Sequence, residues 1–135
     1  ITNLKLIQKL QHKVSFNMLY FILNYQSLFD TVDYFKKLGF HENSFIIGPL
    51  YKPEWLNVLC LPKQIINEIK NRLSVEIDKS DWYLKNSYQN IQKYISNTVI
   101  DHNMDSFRKQ ISLMDKRRKT DWRKIFTKVN DVATN

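Results

Sequence analysis

One cysteine, two glycines and three prolines are all that the 135 residues hold of these types. The lone Cys60 excludes an internal disulfide framework. It also excludes a cysteine-only metal or iron–sulfur site built by this chain alone. A reducing compartment is the simplest inference, so a cytoplasmic location is expected. No apolar run reaches the roughly 18 to 20 residues that span a bilayer. The best one, Val14 to Leu23, is short and interrupted by Ser15 and Asn17. No membrane association and no secretory signal are therefore expected. His12, His41 and His102 are isolated, and none has the spacing of metal ligands. No repeat, low-complexity linker or recognised nucleic-acid-binding motif is present.

What is present argues for one folded domain with a modest core. The hydrophobic fraction is 43% and the aromatic fraction 13%, which excludes a disordered tail. The net charge of +8 favours anionic partners, although a lysine-rich soluble surface would have the same balance. The chain begins at Ile1, so a fragment or a processed product is one expectation.

Leu4, Ile7 and Leu10 share the face of a short helix. The run "VSFNMLYFILN" that follows is apolar on both alternations after Asn17. It reads as a strand over residues 14–23 with both faces covered, as in a parallel sheet. A helix over 28–38 follows, with Ser27 as N-cap, Lys36 and Lys37 in the last turn and Gly39 as C-terminal cap. "SFIIG" is a second strand over 44–48. Strand, helix and strand make a βαβ unit, which predicts parallel pairing.

All three prolines lie between Ser44 and Gln64, and this stretch marks a change of architecture. Beyond Pro62 the spacing is helical: Ile65, Ile66, Ile69 and Leu73; then Leu84, Tyr88, Ile91, Ile95 and Val99; then Met104, Phe107, Ile111 and Met114. Thr120 and Asp121 open a last stripe of Trp122, Ile125, Phe126 and Val129. The expected fold is thus an α-rich α/β one: residues 1–60 hold late strands and helices of an α/β partial barrel or sheet, and 61–135 are a helical C-terminal region. Two strands make a poor sheet alone, so earlier strands are expected outside this chain.

Ligands of open α/β sheets and barrels bind beyond the carboxyl ends of the strands. That places Asn24, Tyr25, Gln26, Gly48, Pro49 and Leu50 on a possible rim. For Asn24 the plainer alternative is a turn residue bonding its own backbone. Pro49 and Pro53 could equally stiffen a connection, with Trp55 covering the core edge. Cys60, between Leu59 and Leu61, reads as a small buried hydrophobe. From Arg108 to Lys128 there are nine Lys or Arg against two Asp. Lys116, Arg117, Arg118, Lys119 and Arg123 are its centre, and Trp122 is an aromatic that could stack on a base. This segment reads either as a solvated helix face or as a surface that would dock an acidic protein, peptide or nucleotide. A nucleic-acid contact is the weaker alternative.

Several segments together resemble a family. They are "LFDTVDYFKKLGF", "SFIIGPLYKPEWLNVLCLP" and "FRKQISLMDKRRKTDWRKIF". They resemble the C-terminal part of twitch-domain-containing radical S-adenosylmethionine proteins, many of them from phages and uncultured bacteria. The pattern is carried by Asn24, Leu38 and Gly39, then Pro53, Leu56, Val58, Leu61 and Pro62, then Met114, Asp115, Arg118 and Trp122, over residues 14 to 126. The family's cluster-binding C-x-x-x-C-x-x-C loop is missing, and Cys60 alone could not ligate an auxiliary cluster. The resemblance implies the late strands of a partial TIM barrel that completes a cofactor and substrate pocket, with Asn24, Gln26 and Pro49 as cofactor-binding positions. S-adenosylmethionine and an iron–sulfur cluster would then belong to the full-length protein, and an N-terminal half would be the partner. Alone, the chain would not be catalytic. A non-enzymatic basic helical interaction module is the competing expectation.

Overall fold

The computed structural model describes residues 2–9 and 14–134. Helix α1 (Thr2–Lys9) precedes strand β1 (Phe16–Tyr20), helix α2 (Ser27–Lys37) and strand β2 (Phe45–Pro49). Three short 3-10 turns (Glu42–Ser44, Glu54–Leu56 and Val58–Cys60) flank β2 and lead into the helices. These are α3 (Lys63–Lys79), α4 (Trp82–Asn97), α5 (Met104–Arg118), α6 (Trp122–Ile125) and α7 (Thr127–Thr134). The protein is α-rich with a small sheet. Leu10 and His12 lie outside the described residues.

The strands pair in parallel, from Phe16 opposite Phe45 to Tyr20 opposite Pro49, with α2 as the crossover. The ladder extends one step, where the Leu50 N–H donates to Tyr20 O at 2.9 Å. A strand's two-residue period puts Phe16, Met18 and Tyr20 on one face and Asn17 and Leu19 on the other. On the first face, Phe16 stacks on Phe35 of α2 at 4.5 Å and on Phe45 at 5.3 Å, and meets the edge of Phe40 at 5.1 Å. Leu28, Phe29 and Val32 bury the rest of α2.

β1 is shorter than the 14–23 run suggested. After Tyr20 the chain turns, and the Tyr20 hydroxyl fixes the turn by donating to Tyr25 O at 2.8 Å. Ser27 is the first residue of α2 and not its cap; Gln26 precedes it with no side-chain cap bond. The C-terminal end follows expectation. Gly39 has φ 98°, and the Gly39 and Phe40 N–H groups donate to Lys36 O and Phe35 O. A β-carbon would strain that left-handed turn.

Helix α4 lies along β2. The Ile47 N–H points away from β1 and donates to Ser87 Oγ of α4 at 3.4 Å. Pro49 faces the same way but has no N–H, so it leaves no orphan donor beneath the helix. Phe29, Tyr88 and Tyr20 meet where α2, α4 and β1 converge. A single hydrophobic cluster runs from Tyr20 through Leu73 and Ile91 to Trp122 and Val129, so residues 1–60 and 61–135 share one core. Val99 and Ile125 leave their expected stripes. α4 ends at Asn97 and Val99 is 96% exposed, while Ile125 is 68% exposed on the four-residue α6. No described helix is long and apolar enough to cross a membrane.

Candidate functional site

The second face of the sheet is open. Leu19 is 52% exposed and Ile46 is 45% exposed. Expected coverage therefore holds on one face only. Asn17, Leu19, Ile46 and Gly48 form the floor of a concavity of about 790 Å³, which continues past Pro49 and Leu50 to Tyr51 and Lys52. Apart from Gly48 itself and its two chain neighbours, no atom lies within 4 Å of where a Gly48 β-carbon would stand. Another backbone or a ligand could therefore approach closely here. Tyr51 is exposed at the carboxyl end, held edge-on to Tyr94 at 5.0 Å.

The sheet also has a free edge. Tyr20 C=O faces β2, so Leu19 C=O and the Phe21 N–H face the opposite side. No strand lies beside that edge among the described residues. Asn24 takes its place at the carboxyl end. Its Nδ2 donates to Leu19 O at 2.7 Å, and its Oδ1 accepts the Phe21 N–H at 2.9 Å. One side-chain amide thus occupies the two groups a neighbouring peptide would pair. Further back, no strand pairs with Asn17 on that side among the described residues.

The rim residues named from the sequence go to three places. Pro49 borders the open concavity but is itself buried, in phase with Phe45 and Ile47 of the covered face. Asn24 caps the strand edge. Gln26 is exposed beside two other hollows of about 220 and 290 Å³, both of which it lines with Tyr25, Asp30 and Lys128. Beyond β2 the rim carries a trio of Lys52, Glu54 and His102 that sequence reasoning did not single out. Glu54 pairs with Lys52, and its Oε2 lies 2.8 Å from His102 Nδ1. The Lys52 hydrogen bond, more than any other influence, holds the Glu54 carboxyl below its ordinary range. Leu19 and Ile46 were also missed. The available signal was Asn17 and Gly48, one polar and one small residue at alternate positions on the same face.

Cys60 is buried, and its thiol donates to Glu54 O at 3.2 Å. Burial pushes the thiol up to about 11, with the Glu54 charge adding to it. A thiol so placed stays protonated at neutral pH and makes a poor metal ligand or nucleophile. No three His, Cys, Asp or Glu residues of the described chain are grouped to hold a metal. His41 is exposed, and its Nδ1 accepts the Asn43 N–H.

The basic segment divides. Lys116, Arg117, Arg118 and Lys119 are exposed at the end of α5, and the ion pairs of the described residues leave them without acidic partners. Arg123 is paired with Asp121 at 2.8 Å. That bond lowers the Asp121 carboxyl and raises the Arg123 guanidinium. Trp122 is not available for stacking on a base: it is 5% exposed, edge-on to Phe107 at 5.2 Å.

The segments behind the family resemblance have plain structural roles. Asp115 Oδ1 accepts the Thr120 hydroxyl at 2.6 Å, and Oδ2 accepts the Trp122 N–H at 2.7 Å. This latches α6 onto α5. In "PEWLNVLCLP", Val58 and Leu61 are buried, while Asn57 accepts the Leu59 N–H and donates to the Tyr94 hydroxyl. Comparison of the chain with known protein families, with curated proteins and with solved structures finds no match.

Proposed function

We propose that this chain is the late part of a radical S-adenosylmethionine enzyme. In this reading β1 and β2 are the last two strands of a partial parallel barrel, and the open face is part of its interior. The observation that carries the reading is the open, largely apolar face beside a strandless edge. Parallel sheets occur almost only with both faces covered, and two strands alone are marginal. Helix α4 covers the edge of β2, so further strands would add beside β1, short of the Leu19 and Phe21 groups that Asn24 occupies. The enzyme class is supported by the sequence resemblance alone.

A bound S-adenosylmethionine on a reduced cluster would supply one-electron chemistry. The cluster's cysteines would lie outside this chain, because Cys60 is turned inward and protonated. Pro49 and the Gly48 backbone would border the cofactor and substrate space. Asn24 would act as a positioning residue, since both ends of its amide are already bonded to the strand edge. Gln26 would meet a ligand only in the separate hollows it shares with Tyr25, Asp30 and Lys128. The preceding half of the enzyme would be the first partner, and the cytoplasm the natural location for an oxygen-sensitive cluster.

The test uses the native reading frame. A longer frame should encode the three-cysteine loop, and its anaerobically purified product should hold iron and cleave S-adenosylmethionine. Gly48→Leu should block that activity while leaving this chain's own unfolding midpoint unchanged. Asn24→Ala should lower stability by about 1–3 kcal/mol through two lost hydrogen bonds. A frame opening near Ile1, or a longer product without a cluster, would end the proposal.

A further inference from the structure

Helix α5 exposes one leucine on an otherwise polar and mostly basic surface. Its inward stripe is Met104, Phe107 and Ile111, all buried. Leu113 is not part of that stripe and is 45% exposed. Residues three and four positions apart are neighbours on a helix surface. Around Leu113 those positions hold Lys109, Lys116 and Arg117, all exposed, and the half-buried Gln110. None of the three cations has an acidic partner among the ion pairs of the described residues. Their aliphatic stems can extend the apolar spot while the charged ends stay in water.

We infer that this face of α5 docks an acidic polypeptide segment that carries an apolar anchor residue. The three cations select negative charge, and Leu113 selects a side chain it can exclude from water. Nucleic acid fits the same face less well. A phosphate backbone would engage the cations but leave Leu113 without a partner. Single-stranded bases need an exposed aromatic platform, and Trp122, the aromatic of this region, is buried. The arrangement resembles an interface in miniature, with one apolar centre inside a polar rim.

The experiment is a titration of the purified chain with three labelled probes. One is a synthetic peptide of alternating glutamate and serine with a central leucine. The second has serine at the centre, and the third is a thymidine oligonucleotide of equal charge. The leucine peptide should bind best, and raising the salt from roughly 50 to 500 mM should weaken it. Leu113→Gln should weaken that peptide about tenfold and abolish its advantage over the serine peptide. Lys116→Gln with Arg117→Gln should weaken both peptides. The proposal is overturned if the two peptides bind the parent chain equally, if the oligonucleotide binds as tightly as the leucine peptide, or if no peptide binds below about 1 mM. The peptide comparison on the parent chain needs no variant, so a folding defect in a variant cannot obscure the result.

Discussion

Glu42 is a buried carboxylate with two jobs. Its Oε1 accepts from Lys36 Nζ at 2.5 Å, and its Oε2 accepts the Asp81 N–H at 2.5 Å. One side chain therefore joins the end of α2 to the N-cap of α4, across a gap of 39 residues. Burial pushes its carboxyl up, but the Lys36 and Asp81 bonds outweigh that, and the net shift is downward. A carboxyl lowered on folding adds stability above its unfolded range and loses it as pH falls through the folded value. Lys36 is raised, chiefly by the same hydrogen bond, so its contribution is lost only at high alkaline pH. Glu42→Gln should cost about 1–3 kcal/mol at pH 7. It should also flatten the decline in stability below the ordinary carboxylate range. Urea unfolding at stepped pH measures both, and equal acid slopes for parent and variant would show that Glu42 does not titrate on unfolding. In sequence, "HENS" reads only as a polar turn. The partner that gives Glu42 its role lies too far along the chain for any local pattern to reveal.

The α5–α6 junction shows the opposite case, in which a local pattern was readable. Asp121 caps α6 as its position suggested, accepting the Arg123 N–H. Asp115 and Trp122 both lie in a segment that carried the family resemblance, and here they are joined across a turn. Lys119 turns the chain with φ 55°, a left-handed conformation that costs a side-chain-bearing residue about 1 kcal/mol. The Asp115 carboxylate then holds Thr120 and Trp122 on the far side of that turn. Two substitutions should act with opposite sign. Asp115→Ala should lower stability by about 2 kcal/mol, since it strips the Trp122 N–H and the Thr120 hydroxyl of their partner. Lys119→Gly should raise it by about 0.5–1 kcal/mol by relieving the turn. Chemical denaturation with tryptophan fluorescence reads both. Destabilisation by Lys119→Gly would mean that the lysine makes a contact worth more than the backbone strain.

At the scale of the molecule, the βαβ order and the helical stripes were legible because they rest on local periodicity. Residues such as Leu28, Ile69, Tyr88 and Phe107 are buried where the spacing put them. Coverage of the sheet was not legible, since it depends on what packs against it. Leu19 and Ile46 are as apolar as Met18 and Ile47, and only three-dimensional packing separates the pairs. The same limit applied to Gln26 and Pro49, neighbours on a rim by strand logic but lining different hollows. The open face can be tested directly. Leu19→Lys with Ile46→Lys adds two cations to a surface that already meets water, so stability should stay within about 1 kcal/mol of the parent. Ile47→Lys, one residue along on the buried face, should abolish cooperative unfolding, because an unpaired charge would enter the core. An exposed apolar face also favours self-association, so the double lysine variant should be monomeric at concentrations where the parent associates. Thermal unfolding and sedimentation of the three proteins decide the matter. If the double variant unfolds as Ile47→Lys does, some part of the chain already covers this face, and the argument for missing neighbouring strands fails with it.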